Sequence, residues 1–255
     1  GALWSMCNSS PDNRARAVEA GAVEAVVAAM RAHVDNGGVQ EFACGALRNM
    51  CANRPDIKDL AAEAGAVEAV VAAMRAHAGK DGVQLKACGA LRNICADSPD
   101  IKARAVEAGA VEAVVAAMRA HAGNAGVQDR ACGALAMMCT GSPDNQARAG
   151  GAGAVEAVVA AMRAHAGNGG VQEDACRALA NMCSGSPDNS ARAVEAGAVE
   201  AVVAAMRAHA GNGGVQERAC GALQNMCNSS PDNRARAVEA GAVEAVVAAM
   251  RAHAG

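Results

Sequence analysis

The sequence repeats itself every 44 residues, and one 13-residue segment, GAVEAVVAAMRAH, occurs six times without a change. Periods of this length are typical of solenoids with two or three helices per repeat and of propeller blades. Because each unit of a repeat array stacks on copies of itself, the secondary structure of one copy predicts the architecture of the whole chain. The six segments begin at Gly21, Gly65, Gly109, Gly153, Gly197 and Gly241.

Each copy carries the signals of three helices. The tripeptide Ser10-Pro11-Asp12 supplies an N-cap, a proline at the first helical position and an early acid, which predicts a first helix over residues 11–20. Gly21 interrupts that helix. Apolar residues then recur at helical spacing over residues 22–33, and a third amphipathic stretch covers residues 39–51. Three helices per copy exclude a propeller blade.

The composition agrees with an all-α fold. Hydrophobic residues make up 52% of the chain but aromatic residues only 1%, so alanine, valine and leucine must build the core. Side chains this small form thin layers, which suit closely packed helices better than sheets.

The cysteines indicate buried, reduced thiols. There are eleven, separated alternately by 7 and 37 residues, as in Cys44, Cys51 and Cys88. Seven helical residues rise about 10 Å, which is too far for a disulfide within the close pair, and the short C-x-x-C spacing of a zinc site is missing. Reduced thiols predict a cytoplasmic or nuclear protein.

Charge and composition also bear on the class of partner. The net charge is −3 and there is almost no aromatic surface for stacking bases, so nucleic acid is not an expected partner. The longest apolar stretches are too short to cross a bilayer, so no membrane partner is expected either.

The repeat resembles the armadillo repeat. The resemblance rests on Asp12-Asn13, on the run Val18–Val23, and on the third-helix residues Ala43, Ala46-Leu47 and Asn49–Cys51, and it extends to all six copies. It implies a right-handed α-solenoid in which the third helices line a concave groove. It also implies that residues 1–255 form a single domain of six units, of which the first and last are truncated.

Comparison of the copies separates the third helix into two faces. One face is the same in all five complete copies, whereas the opposite third of the helix circumference varies. The variable face is predicted to line a peptide-binding groove, although a variable face can also mean only that solvent tolerates any side chain. Besides asparagines, the predicted groove residues are Glu41, Phe42, Arg48, Lys86, Arg92, Arg130, Arg177, Arg218 and Gln224.

An asparagine occupies the same place in four of these helices. An amide offers both a donor and an acceptor, so it can pair with a peptide backbone of any sequence, and in armadillo proteins of similar pattern the matching asparagines hold an extended peptide. The alternative is a hydrogen bond to the neighbouring repeat. The row is interrupted at Met137 and Ser5. Four residues before the asparagine position, where nuclear-import receptors of the armadillo family have tryptophan, this chain has Gly45, Gly89, Gly133, Arg177 and Gly221. The four asparagines are Asn49, Asn93, Asn181 and Asn225.

Nothing in the sequence predicts an enzyme. The six histidines all end second helices, where layers about 10 Å apart keep them from sharing a metal. No non-repeated cluster of titratable residues stands out from the scaffold, so neither catalysis nor a cofactor is expected.

The two ends predict self-association. The segment 1–7 matches the end of a third helix, and Gly255 follows a second helix, so apolar side chains are expected to be exposed at both ends. Joining such unlike ends would give head-to-tail association.

Two functions are therefore expected from the sequence. The first is a non-catalytic scaffold that binds an extended peptide or protein segment in the groove. The alternative is a structural or engineered scaffold that associates head-to-tail and has no dedicated ligand, which the near-identity of the copies favours.

Overall fold

The protein is a stack of helices that repeat in the same order. The computed structural model describes residues 11–228 and 230–253, with only the backbone at Pro11, Arg14 and Ala15, and within these ranges it contains seventeen helices and no strand. The first copy comprises α1 to α3, and each later copy takes the next three helices, up to α16 and α17 of the sixth. The expected all-α solenoid is confirmed.

The helix bounds follow the repeat. The first helices are α1 (Pro11–Glu19), α4 (Pro55–Glu63), α7 (Pro99–Glu107), α10 (Pro143–Ala152), α13 (Pro187–Glu195) and α16 (Pro231–Glu239). The second helices are α2 (Ala22–Ala32), α5 (Ala66–Ala76), α8 (Ala110–Ala120), α11 (Ala154–Ala164), α14 (Ala198–Ala208) and α17 (Ala242–Ala252). The third helices are α3 (Gly37–Met50), α6 (Asp81–Ile94), α9 (Ala125–Cys139), α12 (Gly169–Cys183) and α15 (Gly213–Asn228).

Local chemistry sets these boundaries. The glycine between the first and second helices has a positive φ in every described copy, +77° at Gly197, a conformation that a side chain would strain. Oδ1 of Asn36 accepts a hydrogen bond from the backbone N–H of Val39 at 3.1 Å and caps α3. α3 begins two residues earlier than the sequence predicts.

The core is built from thin layers that adjacent copies share. Third helices pack on the third helices of neighbouring copies, and small residues such as Val67, Val71 and Leu91 are almost fully buried. The ten described cysteines form no disulfide, and eight of them are buried. Burial raises the pKa of the Cys88 thiol to about 12. None of the helices in the described part of the chain has the length and apolar character needed to cross a lipid bilayer.

Polar side chains on the second helices tie one copy to the next. Nη2 of Arg75 donates to the carbonyl oxygen of Ala108 in the following copy at 3.0 Å, and Nε2 of His77 donates to the carbonyl oxygen of Val34 in the preceding copy at 2.7 Å. The invariance of these positions therefore has a structural reason that the sequence alone did not show.

Candidate functional site

The third helices bring the predicted groove residues onto one face, which we call the groove face. Phe42 and Gln224 are exposed there, and Phe42 keeps 50% of its surface accessible. Asn49 alone among the predicted residues is buried, at 8% exposure. The partly buried ones are Glu41, Arg48, Lys86, Arg92, Asn93, Arg130, Arg177, Asn181, Arg218 and Asn225.

The asparagine row bonds to the neighbouring copies. Nδ2 of Asn93 donates to the carbonyl oxygen of Arg48 at 2.8 Å, and Asn225 makes the same bond to Ala180 at 2.8 Å. Asn181 donates to Ala136 at 2.9 Å. The alternative expected from the sequence, a bond between repeats, is thus present. An amide has two N–H groups and one acceptor oxygen, so one bond to a neighbouring copy does not use all of them. Pairing with a peptide backbone therefore stays a prediction.

A row of glycines lies along the middle of the groove face, one turn of helix before the asparagines. At Gly89 a Cβ atom would lie 2.7 Å from Cδ of Arg48, so the glycine lets this arginine from the preceding copy fold across it. At Gly221 no atom lies within 4 Å of a Cβ atom, so the floor of the groove face is open there.

An ion pair crosses the middle of the groove face. Nη1 of Arg92 in the second copy lies 2.7 Å from Oδ2 of Asp174 in the fourth copy, and Arg177 contacts the other carboxylate oxygen. The pair passes over Gly133 of the third copy, where a Cβ atom would lie 2.9 Å from Oδ2 of Asp174. A contact between two copies that are separated by a third copy is expected only on the inner side of a curved stack.

Asp174 is buried between these partners, with 5% of its surface exposed. Burial raises the pKa of the Asp174 carboxyl, and the charges of Arg92 and Arg177 act in the opposite direction. Asp174 is not among the groove residues predicted from the sequence, although it lies on the varying side of its helix. The signal for it was available, because the only copy with an acid at this position is also the only one with an arginine in the glycine row.

Other carboxylates sit at the starts of the next third helices rather than at the centre of the groove face. At Gly214, near the start of α15, a Cβ atom would lie 2.7 Å from Oε2 of Glu173. Asp129 takes the matching place at Gly170 and Glu41 at Gly82. Negative charge is stabilised at a helix N-terminus, so these acids lie towards one rim.

The described residues show no constellation for metal binding. No group of three or more histidine, cysteine, aspartate or glutamate side chains within residues 11–228 and 230–253 could hold a metal ion. The five histidines from His77 onwards each bond to a backbone carbonyl of the preceding copy.

Two family models match the sequence. The model described as "LRRK2 ARM repeat" matches residues 6–198, and the model described as "Armadillo/beta-catenin-like repeat" matches residues 186–228. No curated protein matches the chain.

Solved structures of engineered and designed proteins are similar to this fold. One engineered protein is 28% identical with a TM-score of 0.78, and the match covers 89% of this chain and 88% of that one. A second engineered protein is also 28% identical with a TM-score of 0.84, covering 98% of this chain and 62% of that one. A designed armadillo repeat protein in complex with the peptide (KR)4 is 24% identical with a TM-score of 0.74, covering 88% and 90% respectively.

Proposed function

The chain belongs to the armadillo-repeat family, and we propose that it is a non-catalytic scaffold that binds an extended peptide or protein segment along the groove face. The observation that carries this proposal is the contrast within the third helices. Their packed face is constant in all five complete copies, while the face that stacks into a continuous surface varies.

The spacing of the third helices suits an extended ligand. Helices packed about 8 to 10 Å apart and a peptide that rises about 3.3 Å per residue would place one contact at every second or third peptide residue. The polar side chains of the groove face offer donors and acceptors at this interval, and Phe42 offers an exposed apolar contact. The designed armadillo protein that holds (KR)4 has the same fold, which supports a peptide as the class of ligand.

The free thiols of the described cysteines favour a reducing compartment, which agrees with a cytoplasmic or nuclear location.

The test is selection of binding peptides followed by blocking of the groove face. A library of random 12-residue peptides is panned against the intact chain, and the selected peptides are measured by fluorescence anisotropy against two groove variants, Gly221→Leu and Phe42→Glu. Gly221 has open space above it and Phe42 is half exposed, so neither change disturbs packing. Matched controls are Gly211→Leu, a loop glycine with open space, and Val34→Glu, an exposed residue off the groove face.

We expect at least one groove variant to weaken each selected peptide tenfold or more, and the controls to leave affinity unchanged. Failure to select any peptide, or selected peptides that no groove variant weakens, would contradict the proposal.

A second candidate, head-to-tail self-association, is favoured by the surface of the sixth copy. Val243 and Met250 of α17 are 52% and 68% exposed, whereas their counterparts Val199 and Met206 in the fifth copy are 1% and 2% exposed because the sixth copy covers them. The other expected contact, segment 1–7, lies outside the described residues.

Sedimentation over a concentration series tests this candidate. We expect the mass of the chain to rise with concentration, and Met250→Lys to suppress the rise because it places a charge on the apolar face. A single mass up to hundreds of micromolar would count against self-association.

A further inference from the structure

Within the groove face, one carboxylate of the chain itself shows how an acid is held. Over Gly133, Arg92 reaches forward from the preceding copy and Asp174 reaches back from the following copy, and their side chains meet at 2.7 Å. The glycine leaves room for both. We call this arrangement a clamp position: a glycine of one copy over which a side chain of the preceding copy and a side chain of the following copy meet. Those two side chains are its arms.

The same clamp position recurs one repeat earlier with a different charge. Moving back 44 residues replaces Gly133 by Gly89, Arg92 by Arg48, and Asp174 by Arg130. A Cβ atom on Gly89 would lie 2.7 Å from Cδ of Arg48 and 3.8 Å from Cδ of Arg130, so both arms again approach the glycine. Here both arms are cations.

The electrostatics agree with the geometry. The pKa of the Arg48 guanidinium is lowered by burial and then by the charge of Arg130. The pKa of Lys86 is lowered by burial and by both arginines, while Glu41 acts in the opposite direction. Two cations held close together in a partly desolvated place are destabilised unless an anion joins them.

Arg130 has a carboxylate beside it, whereas Arg48 makes no ion pair among the described residues. Asp129 lies 3.4 Å from Nε of Arg130, and Glu41 lies at the start of α6. Lys86 is a third cation close to the two arginines. Nε and Nη2 of Arg48 both donate to Oδ1 of Asn49 at 3.3 Å, which orients the guanidinium.

We infer that Arg48 and Arg130 form an anion subsite over Gly89, and that it takes the carboxylate of an aspartate or glutamate in the bound peptide. That carboxylate would lie between the two guanidinium groups, as the Asp174 carboxylate lies between Arg92 and Arg177. This inference rests on the proposed function. Guanidinium groups bind carboxylates through two parallel hydrogen bonds, so two arginines that approach from opposite sides match the oxygens of one acid.

The subsite gives the groove face a direction. The first copies accept an acidic residue from the partner, whereas at the next clamp position the chain supplies the acid. An extended peptide with an acidic residue followed by uncharged residues along the array would therefore fit better than a uniformly basic one.

The test uses four fluorescent eight-residue peptides in which serine alternates with glutamate, glutamine, lysine or phosphoserine. The decisive variant is Arg130→Asp. It gives the clamp position over Gly89 the same residue that the fourth copy has at position 174. Residues 129 and 130 are then both acidic, as Glu173 and Asp174 are. Arg251→Asp on α17 makes the same change in net charge away from the groove face. Asp174→Asn releases Arg92 and Arg177 for a second acid.

We expect the wild-type chain to bind the glutamate peptide at least tenfold more tightly than the glutamine and lysine peptides. Arg130→Asp should abolish that preference, Arg251→Asp should keep it, and Asp174→Asn should raise affinity for the glutamate peptide severalfold. Circular dichroism confirms that each variant is folded.

Equal affinity for glutamate and glutamine, no binding of either, or a preference that survives Arg130→Asp would overturn the inference. A phosphoserine peptide that binds when the glutamate peptide does not would overturn the assignment to a carboxylate. Peptides from the random library would still bind in each case if the proposed function holds, so the two failures are distinguishable.

Discussion

Oδ1 of Asp81 lies 2.5 Å from Nδ1 of His121, and the two residues belong to neighbouring copies. Asp81 begins α6, and His121 follows the last residue of α8. Nδ2 of Asn124 donates to the second carboxylate oxygen at 2.9 Å. The hydrogen bond from Asn124 and the nearby imidazole hold the pKa of Asp81 below its usual value of 3.8.

Asp81→Asn should therefore lower stability at neutral pH but not in acid. A carboxyl group whose pKa is lower in the folded state contributes stability above its unfolded pKa and loses it as the pH falls through the folded pKa. Thermal unfolding of the variant and the wild type at pH 6 and near pH 3 checks this, with Asp35→Asn in an exposed loop as the control. An equal difference at both pH values would count against the role of Asp81.

The pKa of the Asp174 carboxyl should be shifted in the opposite direction to that of Asp81. Burial raises its folded pKa above 3.8, so the folded state binds this proton more readily than the unfolded chain. The stability contributed by this site is fully present below the unfolded pKa and is lost as the pH rises through the folded pKa. Carbon-13 NMR titration should place the midpoint of Asp174 above 3.8 and that of Asp81 below 3.8; the reverse order would contradict both assignments.

The first helix of the fourth copy should be less stable to local unfolding than the other internal first helices. α10 has Gly150 and Gly151, and each glycine in a helix interior costs about 1 kcal/mol relative to alanine. Hydrogen exchange should be faster in α10 than in α4, α7 or α13.

The two glycines should respond differently to substitution. Gly151→Ala should raise the free energy of unfolding by up to about 1 kcal/mol, because a Cβ atom there meets open space. At Gly150 the Cβ atom would lie 2.1 Å from Oδ1 of Asn189, a buried amide bonded to Gln146 and Met182, so Gly150→Ala should gain less or destabilise. Urea unfolding of the two variants checks this; equal gains would refute the role of Asn189.

Arg75→Ala should destabilise the stack through the loss of its bonds to the next copy. Nη2 donates to the carbonyl oxygens of Ala108 and Gly109 at 3.0 and 3.4 Å, and a hydrogen bond of this kind contributes about 1 kcal/mol. Its counterpart Arg251 in α17 has no following copy among the described residues, so Arg251→Ala should change little. Chemical unfolding measures the free energy of unfolding of both variants. An equal loss in the two would show that the bonds of Arg75 to the next copy are not the cause of the destabilisation.

The cysteines should differ in reactivity along the chain. Burial raises the pKa of thiols such as Cys44 and Cys95 to about 12, which leaves almost no thiolate at neutral pH. Cys220 and Cys227 are only partly buried. Maleimide labelling of the native protein, read by mass spectrometry, should modify these two before the other described cysteines; labelling of Cys44 at a similar rate would contradict the burial argument.

The helices were predictable because their signals are local. Proline at the first helical position, glycine between the first two helices and apolar spacing placed every helix of a copy within two or three residues. That the varying positions of a third helix share one side was predictable too, since positions three or four apart lie on the same side of a helix.

The contacts across the groove face were not predictable from those signals. Whether Asn93 turns to a peptide or to Arg48 depends on how closely two copies approach. The Arg92–Asp174 pair joins residues 82 positions apart in copies that are not neighbours, so it depends on the curvature of the stack, which no single repeat encodes.

That ion pair also has a mechanical consequence. The hydrogen bonds that Arg75 and His77 make to other copies join adjacent units, so each resists motion at one junction only. The Arg92–Asp174 pair spans the third copy, and any bending that separates α6 from α12 must stretch it. The array is therefore stiffer between the second and fourth copies than at its other junctions, and a partner that straightens it would bend those other junctions first.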